Sequence, residues 1–339
     1  MTLRFCDSFD HYVTADISKK WTSAGSATIS SGNGRRSSSS LRLTTWTGGP
    51  AVTLAAHATW VVGFSLKFSA LPNSTGAALV DLFDVVTSQV TLWLETDGTL
   101  SVYSGSTFLG GSVSALSTGV EYYIEFKATI NNSTGAAEVR VNGASVVTLS
   151  SIDTQRTGSA QASNISIVFS GDANAANVDI DDLVICDGAG SANNTFLGDR
   201  RVDAYLPSGN GNSSQLTGSD GNSTDNYLLV DEAAPNGDTD YVETSTSGQK
   251  DTYAFTDMTH TPATISGVQV CLTARKDDAG ARSVAAVTRS GGSDTDGATQ
   301  ALGTSYAVYR EVRETDPNTS AAWTKTNLNS AEFGAKCAA

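Results

Sequence analysis

The chain has 339 residues, of which only 17% are charged, whereas about 25% is usual in globular proteins. Acidic residues outnumber basic residues by 35 to 21, which gives a net charge of −14, and a surface of that sign repels nucleic-acid phosphates and anionic lipids. We therefore expect no nucleic-acid partner. We also expect no membrane insertion, because no apolar run approaches the roughly 20 residues of a membrane span. The N-terminal residues lack a secretory leader pattern, so we expect a cytoplasmic product.

The length favours two domains, because a single hydrophobic core rarely exceeds roughly 250–300 residues. Apolar residues in the first half alternate with a period of two, which is typical of β-strands. The Asn142-Gly143 pair predicts a type I′ hairpin turn. The Gly-rich stretch after Asp187 marks a boundary. The sequence thus predicts an all-β protein with two β-sandwich or jelly-roll domains in tandem, covering residues 1–188 and 197–339 with a linker at 189–196.

The second half continues the strand pattern. Trp323 is expected to be a core aromatic, residues 206–226 a long loop, and residues 329–333 a short helical turn. The predicted strands are Arg201–Tyr205, Tyr227–Val230, Gln249–Phe255, Ile265–Ala274, Arg282–Arg289 and Tyr306–Arg313.

Three segments of the first half, Phe5–Tyr12, Trp93–Gly143 and Val178–Ile185, resemble the concanavalin A-like, laminin-G-like jelly roll. In related jelly rolls the first and last strands pair, and their carboxylates can hold a structural calcium ion, which prefers oxygen ligands. The resemblance therefore implies a calcium site. Its candidate ligands are Asp7, Asp10, Asp181 and Asp182. The alternative is that these carboxylates, together with Asp179, are strand-edge groups and turn caps.

Exposed aromatic rings can stack on the C–H groups of a sugar. Trp60 and Trp93 lie in apolar strands and are expected in the core, and Tyr103 is a further candidate. Trp46 precedes the turn-forming residues 47–50, so the sequence predicts it as an exposed glycan contact.

A catalytic set is harder to find. No E-x-D-x-x-E pattern occurs, and Glu121 and Glu125 would lie roughly 13 Å apart on one strand, farther than paired glycosidase carboxylates. We interpret both as solvated. The three histidines stand near no nucleophile motif, and the four cysteines form no C-x-x-C pair, so reduced thiols are expected, with a Cys6–Cys186 bridge left open. The sequence therefore predicts a protein that is not an enzyme and requires no cofactor.

The second half resembles a C-terminal module of tailed-bacteriophage virion proteins, which often follows a laminin-G-like domain. The matching segments are Leu197–Val202, Thr217–Ser223, Asn226–Glu232, Asp238–Val242, Ala274–Gly280, Asp316–Thr324 and Glu332–Gly334.

This resemblance implies a structural protein of the virion, associated with the tail or fibre or decorating the head, and assembled in the host cytoplasm. Its partners would be other virion proteins, further copies of itself in a homo-oligomer, and a host surface glycan. Two alternatives stay open: a soluble carbohydrate-binding, lectin-like protein without a structural role, and a glycan-degrading enzyme.

Overall fold

A computed structural model describes residues 3–339, and the chain divides into two compact units between Asp203 and Ala204. The predicted all-β class is confirmed, because strands form nearly all of the regular structure. Among the described residues, no helix has both the length and the apolar character needed to cross a membrane.

Fourteen strands and one short helix, α1 (Ile17–Lys20), form the first unit. The strands are β1 (Leu3–Asp7), β2 (Thr28–Ser30), β3 (Ser40–Thr45), β4 (Ala51–His57), β5 (Thr59–Phe68), β6 (Ala77–Asp84), β7 (Thr87–Leu94), β8 (Leu100–Ser104), β9 (Thr107–Gly111), β10 (Glu121–Thr129), β11 (Gly135–Val141), β12 (Ala144–Ile152), β13 (Ala162–Gly171) and β14 (Ala175–Asp187). Short 3-10 turns span Thr14–Asp16 and Arg35–Ser37.

These strands form two antiparallel sheets. The eight-stranded sheet runs β12-β11-β10-β5-β14-β3-β2, with β1 paired to β14, and the six-stranded sheet runs β4-β13-β6-β7-β8-β9. The predicted hairpin lies between β11 and β12, where Asn142 and Gly143 both have positive φ, 50° and 81°. These are the dihedrals that a type I′ turn requires.

The apolar residues of each strand explain how the sheets pack. Residues at alternate positions point to the same face, and in both sheets one such set is buried in a single core. Phe64 and Leu66 of β5 and Ile124 and Phe126 of β10 represent the larger sheet in it. From the smaller sheet come Val80, Leu82, Val90, Leu92, Leu100, Val102, Ile165 and Ile167.

The end of the predicted linker, at Phe196, and the residues that follow it fold onto the first unit. The Glu125 carboxylate accepts a hydrogen bond from the Gly198 backbone (2.8 Å), and Asp182 accepts one from the Val202 backbone (2.7 Å). The Arg140 guanidinium lies 3.9 Å from the centre of the Phe196 ring. Polar and Gly-rich composition does not reveal the first two contacts, because backbone amides make them. Glu125 is consequently 2% exposed, and its prediction as a solvated residue is wrong.

A charged network surrounds Asp7, the last residue of β1. Asp7 is fully buried, and its carboxylate accepts hydrogen bonds from Trp21 Nε1 (2.9 Å), the Tyr12 hydroxyl (2.8 Å) and the Phe9 backbone (3.0 Å). The buried Lys20 ammonium lies 3.0 Å from the same carboxylate. Burial alone raises the pKa of Asp7, but Lys20 and the hydrogen bonds outweigh it and hold the pKa below its usual value.

The second unit contains smaller sheets and the helix α2 (Lys325–Asn329). Its strands are β15 (Pro207–Ser214), β16 (Thr217–Gly218), β17 (Val242–Glu243), β18 (Lys250–Phe255), β19 (Val268–Ala274), β20 (Ser283–Ser290), β21 (Ser293–Asp296), β22 (Gln300–Ala301), β23 (Ala307–Arg313) and β24 (Glu332–Cys337). One sheet runs β15-β18-β24-β20-β21 with β22 paired to β20, and β16-β17 and β19-β23 form ribbons. Trp323 is 3% exposed and packs with Phe333, which confirms its prediction as a core residue.

Several predicted boundaries in this unit differ from the structure. Residues 201–205 form no strand, and the predicted strand at 227–230 is a 3-10 helix, Asn226–Leu229. The predicted loop at 206–226 contains β15, an edge strand paired with β18, whose sequence of small and polar residues shows no apolar alternation. The predicted helical turn at 329–333 is displaced, because Thr324 caps an earlier helix through Asn327 N (3.1 Å).

The network around Asp7 generates a stability prediction. Asp7→Asn should lower the free energy of unfolding of the first unit by about 3 kcal/mol, because it leaves the Lys20 ammonium buried without a counter-charge. Urea unfolding followed by tryptophan fluorescence measures this loss. Asp153→Asn, which removes an exposed carboxylate, is the matched control and should change stability by less than about 0.5 kcal/mol. Equal effects of the two substitutions would contradict the assigned role.

Candidate functional site on the six-stranded sheet

The face of the six-stranded sheet that points away from the core carries a row of polar side chains. Strand register aligns Ser166 of β13 with Asp81 of β6, Asp81 with Thr91 of β7, and Thr91 with Tyr103 of β8. We call Ser166, Asp81, Thr91 and Tyr103 the polar row. Because the neighbours of these residues along each strand are core residues, period-two alternation directs the row outward.

The polar row is recessed. Ser166 is 2% exposed, Thr91 5% and Asp81 6%, although none of them belongs to the core. Aromatic side chains of the same sheet are more exposed, with Phe108 58% exposed and Phe169 44% exposed. The row is therefore largely covered, whereas aromatic rings on this sheet reach the surface.

Aromatic rings are arranged as two groups on this face. The Tyr103 ring packs edge-on against Trp93 (6.1 Å between centroids) and against Phe108 (5.6 Å), while Phe83 packs against Phe169 (5.1 Å). The prediction that Trp93 is a core residue is wrong, because Leu92 and Leu94 occupy the inward positions on either side of it. Alternation around Leu92 and Leu94 was the sequence signal that could have placed Trp93 outward.

Asp81 is the ionisable group at the centre of the row. The Ser88 hydroxyl donates a hydrogen bond to it (2.6 Å) and lies 3.1 Å from the Thr91 hydroxyl. Burial raises the pKa of Asp81 to about 6, although the hydrogen bonds and the charge of Arg156 oppose the shift. Asp81 can therefore hold or release a proton in the range where acid–base groups at functional sites titrate.

Tyr103, which lies beside Thr91 at the end of the polar row, is held in place by a carboxylate. Its hydroxyl donates a hydrogen bond to Glu95 Oε1 (2.9 Å), and burial together with Glu95 raises its pKa. The hydroxyl therefore stays protonated near neutral pH, with its oxygen free to accept a hydrogen bond from a ligand.

The loop between β12 and β13 places the Arg156 guanidinium near the polar row. The fully buried Gln89 side chain anchors the loop, donating hydrogen bonds to Thr157 Oγ1 (2.7 Å), Ser159 O (3.0 Å) and Gln161 O (3.1 Å), and accepting one from the Arg156 backbone. The exposed Arg156 guanidinium then lies over Gly105, where an added Cβ would come within 2.1 Å of Nη1. Any side chain at Gly105 would displace this cation from its place near Asp81.

An amide on the same face has an unused acceptor. Asn164 lies beside Phe83 in the strand register, and its buried Oδ1 has no hydrogen-bond partner in the described chain. A buried acceptor without a donor costs free energy unless a ligand or water supplies one.

The predicted glycan contact Trp46 lies elsewhere. It is fully buried, packs edge-on against Phe68 (5.2 Å) and donates a hydrogen bond from Nε1 to Ala70 O (3.1 Å). A ring enclosed in this way has no face for a sugar, so the prediction of an exposed contact is corrected. The turn-forming residues after Trp46 concealed its inward direction. Trp60, also fully buried, is in the core as predicted.

The predicted calcium ligands lie at the opposite sheet, where their carboxylates accept protein donors. The Asp7 carboxylate contacts the Lys20 ammonium and accepts three hydrogen bonds, as described above. Asp182 binds the Arg36 guanidinium (2.6 Å) and that of Arg35 (3.1 Å). Calcium at either carboxylate would meet a fixed cation.

Asp181 and Asp10 also accept hydrogen bonds from protein donors. Asp181 accepts hydrogen bonds from the Arg35 backbone (2.8 Å) and from Ser38 Oγ (2.8 Å), while Asp10 accepts one from the Ser39 backbone (2.7 Å). Burial and the neighbouring Asp182 raise the pKa of Asp181 to about 7. Within residues 3–339, no group of three or more His, Cys, Asp or Glu side chains could hold a metal ion. These carboxylates do not fit a calcium site, and bound calcium stays a prediction from resemblance.

The cysteines are free thiols, and the open question of a Cys6–Cys186 bridge is answered by the register, in which Cys6 opposes Val184 and Cys186 opposes Leu3.

No family model and no curated protein matches the chain. Among solved structures, it is similar to the alginate lyase Aly36B, with 12% identity and a TM-score of 0.38 over 54% of this chain and 96% of that one. A sialidase matches with 16% identity and a TM-score of 0.38, over 54% of this chain and 18% of that one. The cellulose-induced protein Cip1 matches with 14% identity and a TM-score of 0.38, over 52% and 89%.

These findings correct two predictions. The predicted role as a virion structural protein is contradicted, because the similar structures reported above are an alginate lyase, a sialidase and Cip1, and none of these three is a virion protein. The prediction that the chain is not an enzyme is contradicted as well, because alginate lyase and sialidase are enzymes. The resemblance of the second half to phage modules stays an untested prediction. At such low identity and TM-score, no substrate or reaction transfers to this chain.

The environment of Asp81 generates a prediction about its titration. The Asp81 carboxyl should titrate near pH 6 by carbon-13 NMR of labelled protein, and Ser88→Ala should raise that midpoint, because it removes a hydrogen bond that stabilises the charged form. The folded state then binds more protons than the unfolded state between about pH 4 and pH 6, so the contribution of Asp81 to stability falls as the pH rises through this window. A midpoint near 4 would contradict the burial argument.

Proposed function

We propose that the first unit binds a glycan along the outer face of its six-stranded sheet. The observation that carries this proposal is the polar row lying between aromatic rings on a face that points away from the core. Hydroxyl and carboxyl groups can exchange hydrogen bonds with sugar hydroxyls, and ring faces can pack on sugar C–H groups.

The chemistry of this face supports a sugar over a purely apolar ligand. The polar row offers hydroxyls on Ser166 and Thr91 and a carboxyl on Asp81, and an apolar ligand would leave their remaining hydrogen-bonding capacity unused. An unpaired acceptor on Asn164 adds to this demand. A ligand rich in hydroxyl groups satisfies all of them.

The charges on the face favour recognition of hydroxyl groups by acceptors. Asp81 and Glu95 supply carboxylate oxygens, and hydrogen bonds to charged acceptors are roughly twice as strong as those between neutral groups. Arg156 supplies a donor at the rim. The proposed ligand is therefore a neutral stretch of glycan, with the Arg156 guanidinium donating to one of its ring or hydroxyl oxygens.

The proposal predicts that Tyr103→Ala weakens glycan binding by the full chain more than tenfold, because it removes a ring and a hydroxyl from the polar row and the ring contact with both Trp93 and Phe108. A tenfold loss corresponds to 1.4 kcal/mol, a modest value for an aromatic contact. A glycan array with plant, algal and bacterial polysaccharides finds the ligand, and isothermal titration calorimetry measures the loss.

Tyr227→Ala is the matched control, because Tyr227 is a half-buried tyrosine of the second unit, and it should leave affinity unchanged. Circular dichroism confirms that both variants fold. A ligand that binds wild type and Tyr103→Ala equally would overturn the proposed face, and an array without any response would overturn glycan binding itself.

A second candidate function is cleavage of the bound glycan. Among the residues of the polar row, only Asp81 has a property that favours it. A carboxyl with a pKa of about 6 retains a proton at mildly acidic pH, and a protonated carboxyl can donate to a glycosidic oxygen as a general acid. Asp81→Asn should then abolish release of reducing ends from the array-selected glycan, while affinity changes by less than tenfold. Release of reducing ends at the wild-type rate by this variant would exclude Asp81 as the acid, and no release by the wild type would leave binding as the function.

A further inference from the structure

The outer face of the opposite, eight-stranded sheet contains a cavity that the proposed glycan face does not use. Its volume is about 400 Å³, which lies within the usual range for small-ligand sites, roughly 300–1,000 Å³. Side chains from β3, β14, β5 and β10 form its floor, and residues 32–37 form one wall. The lining includes Arg42, Asp179, Asn177, Lys67, Glu121 and Ser37.

The two carboxylates of this cavity each have a guanidinium partner. Asp179 receives Arg42 Nε (2.8 Å) and Nη2 (2.7 Å) as well as the Ser40 hydroxyl (2.7 Å). Glu121 receives Arg35 Nε (3.0 Å), and Arg35 also pairs with Asp182 and Asp199. Neither carboxylate contacts the lysine of the cavity.

Lys67 lines the cavity and forms no ion pair in the described chain. Strand register places it between Glu121 and Asp179, and its side chain is exposed to the cavity. Within the described chain, no carboxylate oxygen lies within 4.0 Å of its ammonium group. The cavity thus presents one ammonium group without an ion-pair partner, in a protein whose net charge is −14.

Further hydrogen-bonding groups line the cavity with this ammonium. The exposed Asn177 amide and the Ser37 hydroxyl line the cavity without a side-chain partner in the described chain, and Arg42 keeps its Nη1 for a further acceptor. Such groups match hydroxyls and ring oxygens of a small polar ligand.

The wall of the cavity is held rigidly before any ligand arrives. Arg36 and Ser37 adopt positive φ values of 58° and 64°, which are unfavourable for residues with a Cβ atom. The Asp181 carboxylate accepts hydrogen bonds from the Arg35 backbone and from Ser38 Oγ, and these contacts hold the strained turn. A preformed wall reduces the ordering cost of binding.

From this arrangement we infer that the cavity is a second ligand site, which binds a sugar carrying one carboxylate, of the uronic acid class. The Lys67 ammonium pairs with the carboxylate, while Asn177 and Ser37 bind the hydroxyls. A single ammonium group balances a single negative charge, so a carboxylate fits better than a phosphate, which carries about −1.5 to −2 at neutral pH.

The test is an NMR titration of the labelled full chain with D-glucuronate, D-glucose and glucose 6-phosphate, with the amides of Gly32, Gly34 and Gly119 as reporters. Glucuronate should shift these amides with a millimolar dissociation constant. Glucose, which lacks the carboxylate, should bind at least tenfold more weakly, and glucose 6-phosphate should also bind more weakly than glucuronate.

Lys67→Gln should weaken glucuronate binding at least fivefold, whereas Lys127→Gln, a lysine of the same sheet outside the cavity lining, should not. Equal binding of glucose and glucuronate, tighter binding of the phosphate, or wild-type affinity in Lys67→Gln would each overturn the inference. Tyr103→Ala should leave these shifts unchanged, so failure at this cavity and failure at the proposed glycan face are separate outcomes.

Discussion

Period-two alternation in the six-stranded sheet is the constraint on which the rest of the structure depends. One set of alternate residues fills the core that this sheet shares with the eight-stranded sheet, and the other set must then point outward. Asp81 occupies an outward position while Val80 and Leu82 beside it are in the core. A slip of one residue in this register would bury the carboxylate in the core and expose both apolar side chains, so packing of the core also fixes the floor of the proposed glycan face.

The two sheets use their charges in different ways. On the eight-stranded sheet, carboxylates are paired with cations and with backbone amides, as in the contacts of Asp7 with Lys20 and of Asp182 with Arg35 and Arg36. These contacts hold turns and the segment after Asp187 in place. On the six-stranded sheet, Asp81 accepts a hydrogen bond from the Ser88 hydroxyl and makes no ion pair within 4.0 Å in the described chain, and burial raises its pKa to about 6. Saturated carboxylates support structure, whereas an incompletely neutralised one is available for a ligand.

Much of the fold could be predicted from the sequence, because strands and tight turns leave local signals, as the Asn142-Gly143 hairpin and the alternation around Leu92 show. The site could be predicted only in part. Trp46 was misplaced because turn-forming residues indicate a loop and do not show which way a side chain points. The pairing of Ser166 with Asp81 joins residues far apart in the chain, and the folding of residues 196–202 over Glu125 depends on backbone amides. No local pattern records either contact.

The most direct test of the central claim is a map of where a glycan selected by the array contacts the chain, obtained from amide chemical-shift changes during titration. The account predicts that the largest changes fall on β6, β7, β8 and β13, at and beside Asp81, Thr91, Tyr103 and Ser166. Changes confined to the second unit, or to the eight-stranded sheet, would contradict it.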